Sequence, residues 1–340
     1  MVSGLYTVGG SSTVIDNLAI NLAKKGIDVT IGALKFDKNP PKGIHSTNML
    51  NVNSFLKLRQ FLGNFDIVHS HHAITNYLAL VNKRHFVYHY HGSPDFGKRS
   101  LFGFNVFFSI KTMHYAFDAI IAVSETGCAE LKQSFGLKNV CVIYNGVDTE
   151  RFNPSIKQKF RKGMPQLLFV GNLYEHKNIH ELIFAVKDLI KIYPKTYLQI
   201  IGEGREYPRL KSLVERLNLG SNVELVGRVS DDELPYYYAS CDVYTTASRW
   251  ELFGLPLLEA MACGKPIVAS SIQSHKELLS KSGAGTTYVL EDQPDLQHKL
   301  IRTYEESDKY TDNALKFAKG HDWAAVTNQL IEIYASLLER

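Results

Sequence analysis

The sequence predicts an α/β protein of two doubly wound, Rossmann-like domains facing each other across a cleft, and three observations predict it. Short β-branched runs alternate with helical patterns from end to end, the pattern of parallel strands covered by helices on both faces. The 340 residues exceed one ordinary core and suit two of about 150 residues each. A polar stretch with two prolines and two glycines, Asn145 to Gln166, reads as a linker between the halves.

The strands expected in the first half are Met1 to Gly4, Val29 to Ala33, Ile67 to Ser70, Phe86 to Tyr90, Ile120 to Val123 and Val140 to Tyr144. Those of the second are Leu167 to Gly171, Tyr197 to Ile201, Val223 to Val226, Val243 to Thr246 and Pro266 to Ala269. The domains so predicted are residues 1–152 and 165–322. A final amphipathic helix, about Trp323 to Leu338, completes the chain (323–340), and packing back on the first domain is one arrangement open to it. In open sheets of this kind ligands bind beyond the carboxyl ends of the strands, so the loops after strands are where chemistry is sought.

With 45% hydrophobic and 21% charged residues, the chain has apolar surface to bury and no long polar tract, which excludes wholesale disorder. No apolar run approaches the roughly 20 residues that span a bilayer, and the N-terminus lacks the order of a signal peptide, so a cytoplasmic protein is expected. Cys128, Cys141, Cys241 and Cys263 form no C-x-x-C pair and read as buried, reduced thiols rather than a disulfide framework or zinc site. The net charge of +4 lies entirely in residues 1–150, with 14 basic against 10 acidic side chains. That balance suits an acidic ligand or an anionic membrane surface and equally ordinary solubility; no nucleic-acid partner is expected.

The densest signal runs from Thr245 to Ser270. After the strand Val243 to Thr246 comes a loop, and Pro256 suits the first position of a short helix that Gly264 and Pro266 end. Helical side chains lean toward the N-terminus, so Glu259 is expected to reach back toward Glu251 and the pair to flank the helix start. Free N–H groups there form an anion site, with the small Gly254 letting a phosphate approach the backbone of Phe253, Gly254 and Leu255. Two carboxylates accept hydrogen bonds from sugar hydroxyls, so anion plus polyol suggests a nucleotide sugar. The same spacing also fits a Glu259 that merely complements the helix dipole and a solvated Glu251.

The run "ELFGLPLLEAMACGKPIVAS" resembles the E-x7-E signature of retaining GT-B glycosyltransferases, specifically glycosyltransferase family 4. Other stretches are similar to the same family in the same order: "TVGGSSTVIDNLAINLAKKGIDVTI", "FDIVHSH", "YHYHGSPD", "AIIAVSETG", "VIYNGVDTERFNP", "LLFVGNLYEHKN" and "IIGEGREYPRL". The resemblance implies a GT-B fold. It also implies a retaining transfer of a sugar from a nucleotide-diphosphate donor, held mainly by the second domain, to an acceptor hydroxyl held mainly by the first. Rival readings are a nucleotide-sugar epimerase or hydrolase of the same fold and a non-catalytic sugar-nucleotide-binding subunit.

Carried over by matching position, the resemblance makes His91, Lys177 and Glu251 the catalytic set. Lys177 would neutralise the leaving diphosphate, His91 would hydrogen-bond near sugar and acceptor, and Glu251 would hold sugar hydroxyls. Glu259 would hold the ribose and Arg228 lies in the base-contacting loop. Gly9 and Gly10, before a helix capped by Ser11 or Ser12, would offer backbone N–H groups to the diphosphate. Where the family usually has Arg directly after the glycine of its G-R-L-x-x-x-K motif, this chain has Asn172, which brings no charge; Arg205 is the candidate compensation. Gly202-Glu203-Gly204 lacks a third glycine and receives no cofactor role. Ser230 and Glu233 are spaced as a capping box.

No D-x-D triplet occurs, so neither a metal clamp nor any other cofactor is expected, and the acceptor would be a sugar or lipid-linked alcohol of cell-surface polysaccharide or glycolipid synthesis. Gly97 to Phe117 combines Lys98 and Arg99 with many aromatics, which suits peripheral contact with the inner face of the cell membrane or packing of its phenylalanines on the sheet. Only "MVSG" precedes the first loop, shorter than the family's opening strand.

Overall fold

The computed structural model describes residues 1–7, 9–49, 55–81, 84–92, 108–112 and 114–339. It divides into two compact units, Met1–Gly146 with Trp323–Arg340, and Val147–Asp322.

In the first unit the described strands are β1 (Val2–Tyr6), β2 (Thr30–Phe36), β3 (His45–Asn48), β4 (Ile67–Ser70), β5 (His85–Tyr90), β6 (Ala119–Ala122) and β7 (Cys141–Val142). They form one sheet in the order β3-β2-β1-β4-β5-β6-β7, with every pairing parallel. β1 lies mid-sheet and runs to Tyr6, five residues in all, so the expectation of a short strand ending at Gly4 is corrected. Gly4 lets the chain after β4 approach this strand closely: a Cβ there would lie 2.4 Å from Ile74. β3 went unread because His-Ser-Thr-Asn is polar and borders the sheet. Val2, Met49, Leu62, Val68, Ala79 and Phe86 pack one of its cores. The helix Trp323–Leu338 closes this unit against the helix Gly10–Lys24, burying Val326, Leu330, Tyr334 and Leu337.

The second unit holds β8 (Gln166–Val170), β9 (Tyr197–Ile201), β10 (Val223–Gly227), β11 (Val243–Thr246), β12 (Ile267–Ser270) and β13 (Gly285–Tyr288). Their order is β10-β9-β8-β11-β12-β13, again all parallel. The sheet order turns back between β8 and β11, which makes the loops after these two strands the expected ligand site. Leu167, Phe169, Leu198, Ile200, Val243 and Val268 fill the core beneath it. β13 was missed because its Gly-Thr-Thr-Tyr lacks an apolar run.

The stretch expected to be a linker is instead packed on the second unit from Val147 onward. Arg161 makes a bidentate pair with Asp242, 2.9 Å at each nitrogen, Phe160 stacks on Tyr237 at 4.1 Å, and Lys162 reaches Glu224 at 2.8 Å. Arg161 and Lys162 thus meet charged partners on the second unit. Of the cysteines, Cys128, Cys241 and Cys263 are buried, whereas Cys141 is exposed on β7, an edge strand with fewer neighbours to cover it. The Ser230–Glu233 box is formed reciprocally: each backbone N–H donates to the other's side-chain oxygen at 3.3 Å.

Candidate active site

β11 ends at Thr246 and the chain turns through Ser248, Trp250 and Glu251 before entering the helix Leu255–Ala262. Gly254 sets the turn. Its φ of 88° is left-handed, and a Cβ there would lie 2.9 Å from Leu257 Cδ1 and 3.1 Å from Glu251 Oε2, so both the conformation and the close approach require glycine. The helix starts at Leu255, one residue earlier than expected, with Pro256 in its first turn and no side chain capping it. Pro256 has no N–H and Leu257 N donates to the Gly254 carbonyl at 3.0 Å, so the positive end of the helix, with Glu251 Oε2 beside it, is what an anion would meet here. Phe253 is buried beneath this turn, and Leu255 is half-buried.

Glu251 does not stand in solvent. Its Oε1 accepts from Lys177 Nζ at 2.8 Å and from Ser248 Oγ at 2.6 Å, and its backbone carbonyl accepts from Ser274 Oγ at 2.8 Å. His275, fully buried, faces it with Nε2 4.0 Å from Oε1 while Nδ1 meets the Ser270 carbonyl at 3.0 Å. The side chains of Lys177 and Glu251 are 18% and 13% exposed, so this pair is largely withdrawn from water. Burial alone would push the Glu251 carboxyl up. Lys177, His275 and Ser248 outweigh it and hold the group at about 2.

Glu259 does not turn to Glu251 as expected. A buried carboxylate takes the nearest strong donor, and the Tyr238 hydroxyl donates to Glu259 Oε2 at 2.6 Å. Burial raises the Glu259 carboxyl, against the downward pull of Tyr238 and of Arg151. Both carboxylates lie near Tyr244 on β11, whose phenol burial raises first and they raise further. The helix-dipole reading of Glu259 and the solvated reading of Glu251 both give way to these partners.

Lys177 lies in a short helical turn, Glu175–Lys177, after β8. Asn172, at the start of the same loop, is exposed. This loop is stitched to the one after β9: Leu173 N donates to Glu203 O at 2.8 Å and Glu206 N to Leu173 O at 2.9 Å. Cβ atoms on Gly202 and Gly204 would strike the backbone of Gly171 and Leu173 at 1.9 and 2.3 Å, so these glycines serve the stitching. Arg205 rides on the stitched loop, exposed, as does Arg228 beyond the end of β10.

In the first unit Gly9 itself caps the helix Gly10–Lys24 without a side-chain bond, correcting the expectation that Ser11 or Ser12 caps it. A Cβ on Gly9 would meet nothing within 4 Å, so this glycine borders open space. His91 follows β5, its Nε2 2.9 Å from His71 Nδ1; burial lowers its pKa well below the ordinary value. Most of Gly97 to Phe117 lies outside the described residues. Of the remainder, Ile110 is buried, Phe117 stacks on Phe86 at 5.5 Å, and Tyr115 is 87% exposed. Among the described residues no helix is long and apolar enough to cross a membrane.

Sequence reading missed Ser248, His275, Tyr238 and Arg151. His275 carried a signal, since it lies five residues past the end of β12, where ligand loops are expected; Tyr238 sits mid-helix and had none.

Residues 151–320 match the family model of the Glycosyl transferases group 1, and residues 8–151 that of Glycosyltransferase Family 4. An uncharacterised glycosyltransferase of Methanocaldococcus jannaschii is 27% identical over 97% of this chain and 95% of its own length. Among solved structures, sucrose-phosphate synthase from Thermosynechococcus elongatus superposes with a TM-score of 0.82 at 20% identity, covering 99% of this chain and 98% of that one. Anabaena HepE, solved in complex with UDP and glucose, also gives 0.82, at 21% identity over 99% and 98%.

Proposed function

This chain belongs to glycosyltransferase family 4, within the glycosyl transferases group 1, and has the GT-B fold; we propose that it is a retaining enzyme that moves a sugar from a nucleotide-diphosphate donor to an acceptor hydroxyl without a metal on the diphosphate. The observation that carries this reading is the Lys177–Glu251 pair set beside the uncapped start of the helix Leu255–Ala262. A largely withdrawn cation, a carboxylate ionised far below neutrality and the positive end of a helix provide for a leaving anion and a polyol in one place.

In the proposed step the bond from the sugar's anomeric carbon to the diphosphate oxygen breaks and the bond to the acceptor oxygen forms on the same face. The acceptor proton passes to the departing phosphate oxygen, so no protein base is needed. Lys177 and the helix start stabilise the charge that grows on the diphosphate. Glu251 accepts from sugar hydroxyls and Glu259 from the ribose, both as anions. Arg205, on the loop stitched to Asn172, supplies the charge that Asn172 lacks, and Arg228 borders the base. His91 acts as a neutral hydrogen-bonding group, since burial disfavours its cation. The acceptor, a sugar or a lipid-linked alcohol of cell-surface polysaccharide or glycolipid synthesis, belongs to the first unit, and the enzyme would work in the cytoplasm at the inner membrane face.

The test is a panel of UDP-, GDP- and ADP-sugars with EDTA present, read as release of the nucleoside diphosphate. UDP-glucose heads it, because HepE of the same fold was solved with UDP and glucose. Release from one donor, persisting in EDTA, is the expected result. Silence across the panel, with no thermal stabilisation by any nucleotide, would overturn the enzyme reading in favour of a non-catalytic subunit.

A further inference from the structure

The first unit gathers histidines in a way the transfer chemistry does not require. β4 and β5 are parallel neighbours with His69 paired to Val87. Strand alternation then puts His69, His71, His89 and His91 on one face of the sheet, at its carboxyl edge. The rings are stacked: His69 to His71 is 4.3 Å between centroids at 26°, His69 to His89 5.3 Å at 8° and, more tilted, His71 to His89 5.2 Å at 34°. Their residues are 1%, 2% and 3% exposed in the order His69, His71, His89.

The hydrogen bonds are one-sided. His69 Nδ1 meets Tyr334 Oη at 2.6 Å and His71 Nδ1 meets His91 Nε2 at 2.9 Å. Nε2 of His69, Nε2 of His71 and both nitrogens of His89 have no partner among the described residues. A buried polar atom without a partner is costly, and three such rings converge here. One nitrogen held by a hydrogen bond while the other is left bare is how a metal-binding imidazole is oriented.

We propose that His69, His71 and His89 form a three-imidazole site for a divalent transition cation of the zinc type, supported by Tyr334 and His91. One ligand nitrogen from each ring lies within 4.8 Å of the other two. A point between three atoms so spaced is at most about 2.8 Å from each, so the nitrogens must close in by about 0.8 Å, and the stacked rings must tilt to aim their in-plane lone pairs at it, to make zinc–imidazole bonds of ~2.0–2.1 Å. Imidazole alone, without carboxylate or thiolate, suits zinc, cobalt, nickel or copper rather than magnesium or calcium. With the ion on Nε2 of His71, the proton of that ring stays on Nδ1 and is donated to His91 Nε2. His91 then keeps its own proton on Nδ1 as a donor. The site belongs to the first unit alone, and no step of the proposed transfer is routed through the ion.

The tag-free full chain is titrated with Co²⁺ and separately dialysed against Zn²⁺ and analysed for bound metal. Intense ligand-field absorption saturating at about one equivalent, one retained zinc, and a melting temperature raised by zinc are expected. His89→Gln, which leaves the His71–His91 bond intact, should lose the absorption, the retained zinc and the thermal shift while keeping its circular dichroism. His72→Gln, one residue past the cluster, should keep all three. A wild-type chain that shows only the weak spectrum of hydrated cobalt and retains no zinc overturns the proposal, whether or not the variant folds. Metal retained equally by His89→Gln overturns it as well.

Discussion

Replacing Glu251 with Gln removes one carboxylate whose ionisation the fold strongly favours, and the consequence can be read without knowing the donor. The folded group is lowered from its ordinary 4.5 to about 2, so the unfolded chain takes up a proton in acid well before the folded one does. The stabilisation is complete above about pH 4.5, amounts to about 3 kcal/mol, and is lost as pH falls toward the folded value. Between about pH 5 and pH 3.5 the part lost is about 1 kcal/mol. The Glu251→Gln protein has no such contribution, so the wild type should lose about 1 kcal/mol more than the variant across that interval. Urea unfolding followed by tryptophan fluorescence at both pH values measures it, with Trp250 adjoining the site. Parallel losses in the two proteins would show that Lys177, Ser248 and His275 do not hold Glu251 ionised, and the electrostatic description of the site would fall.

Lys177→Ala should lower kcat by about 10²–10³, the usual effect of deleting one preorganised group that meets developing charge; a steady-state assay with the identified donor checks it, and an unchanged kcat removes Lys177 from the transition state. Gly254→Ala forces a side chain into a left-handed turn and against Glu251, at a cost of about 1–2 kcal/mol. Its melting temperature should fall and its donor KM rise, whereas wild-type values for both would mean that the turn relaxes freely.

The two sheets were legible because parallel strands buried on both faces leave continuous apolar runs, as in Leu167 to Val170 or Ile120 to Val123. β3 and β13 were not, because edge position lets His45–Asn48 and Gly285–Tyr288 be polar or small. Within the site, Glu251, Gly254 and Lys177 stood out through their pattern, and the structure brings all three together. Ser248 is local to Glu251, but Lys177, His275 and, for Glu259, Tyr238 come from other elements, and no local spacing announces contacts between residues 74, 24 or 21 apart. The histidine cluster was visible in part: His69/His71 and His89/His91 each repeat with strand period, but only the register of β4 on β5 joins the two pairs.

The pairing of Lys177 with Glu251 also bears on how the site would discriminate. The ammonium is spent on a carboxylate 2.8 Å away, so an incoming phosphate would meet a pair already near neutrality and compete with Glu251 for the cation. A ligand that brings hydroxyl donors as well changes this balance. Hydroxyls bonding to Glu251 satisfy its lone pairs, which weakens its hold on Lys177 and leaves more of that charge for the anion. Phosphate and polyol binding would then reinforce one another, because each relieves the cost that the other would bear alone. A bare nucleotide or a free sugar gains only half of the arrangement, whereas a molecule with both parts at the right spacing gains the whole. Selectivity for an intact sugar nucleotide would thus arise from one ion pair held beside a glycine turn, with no need for a larger pocket.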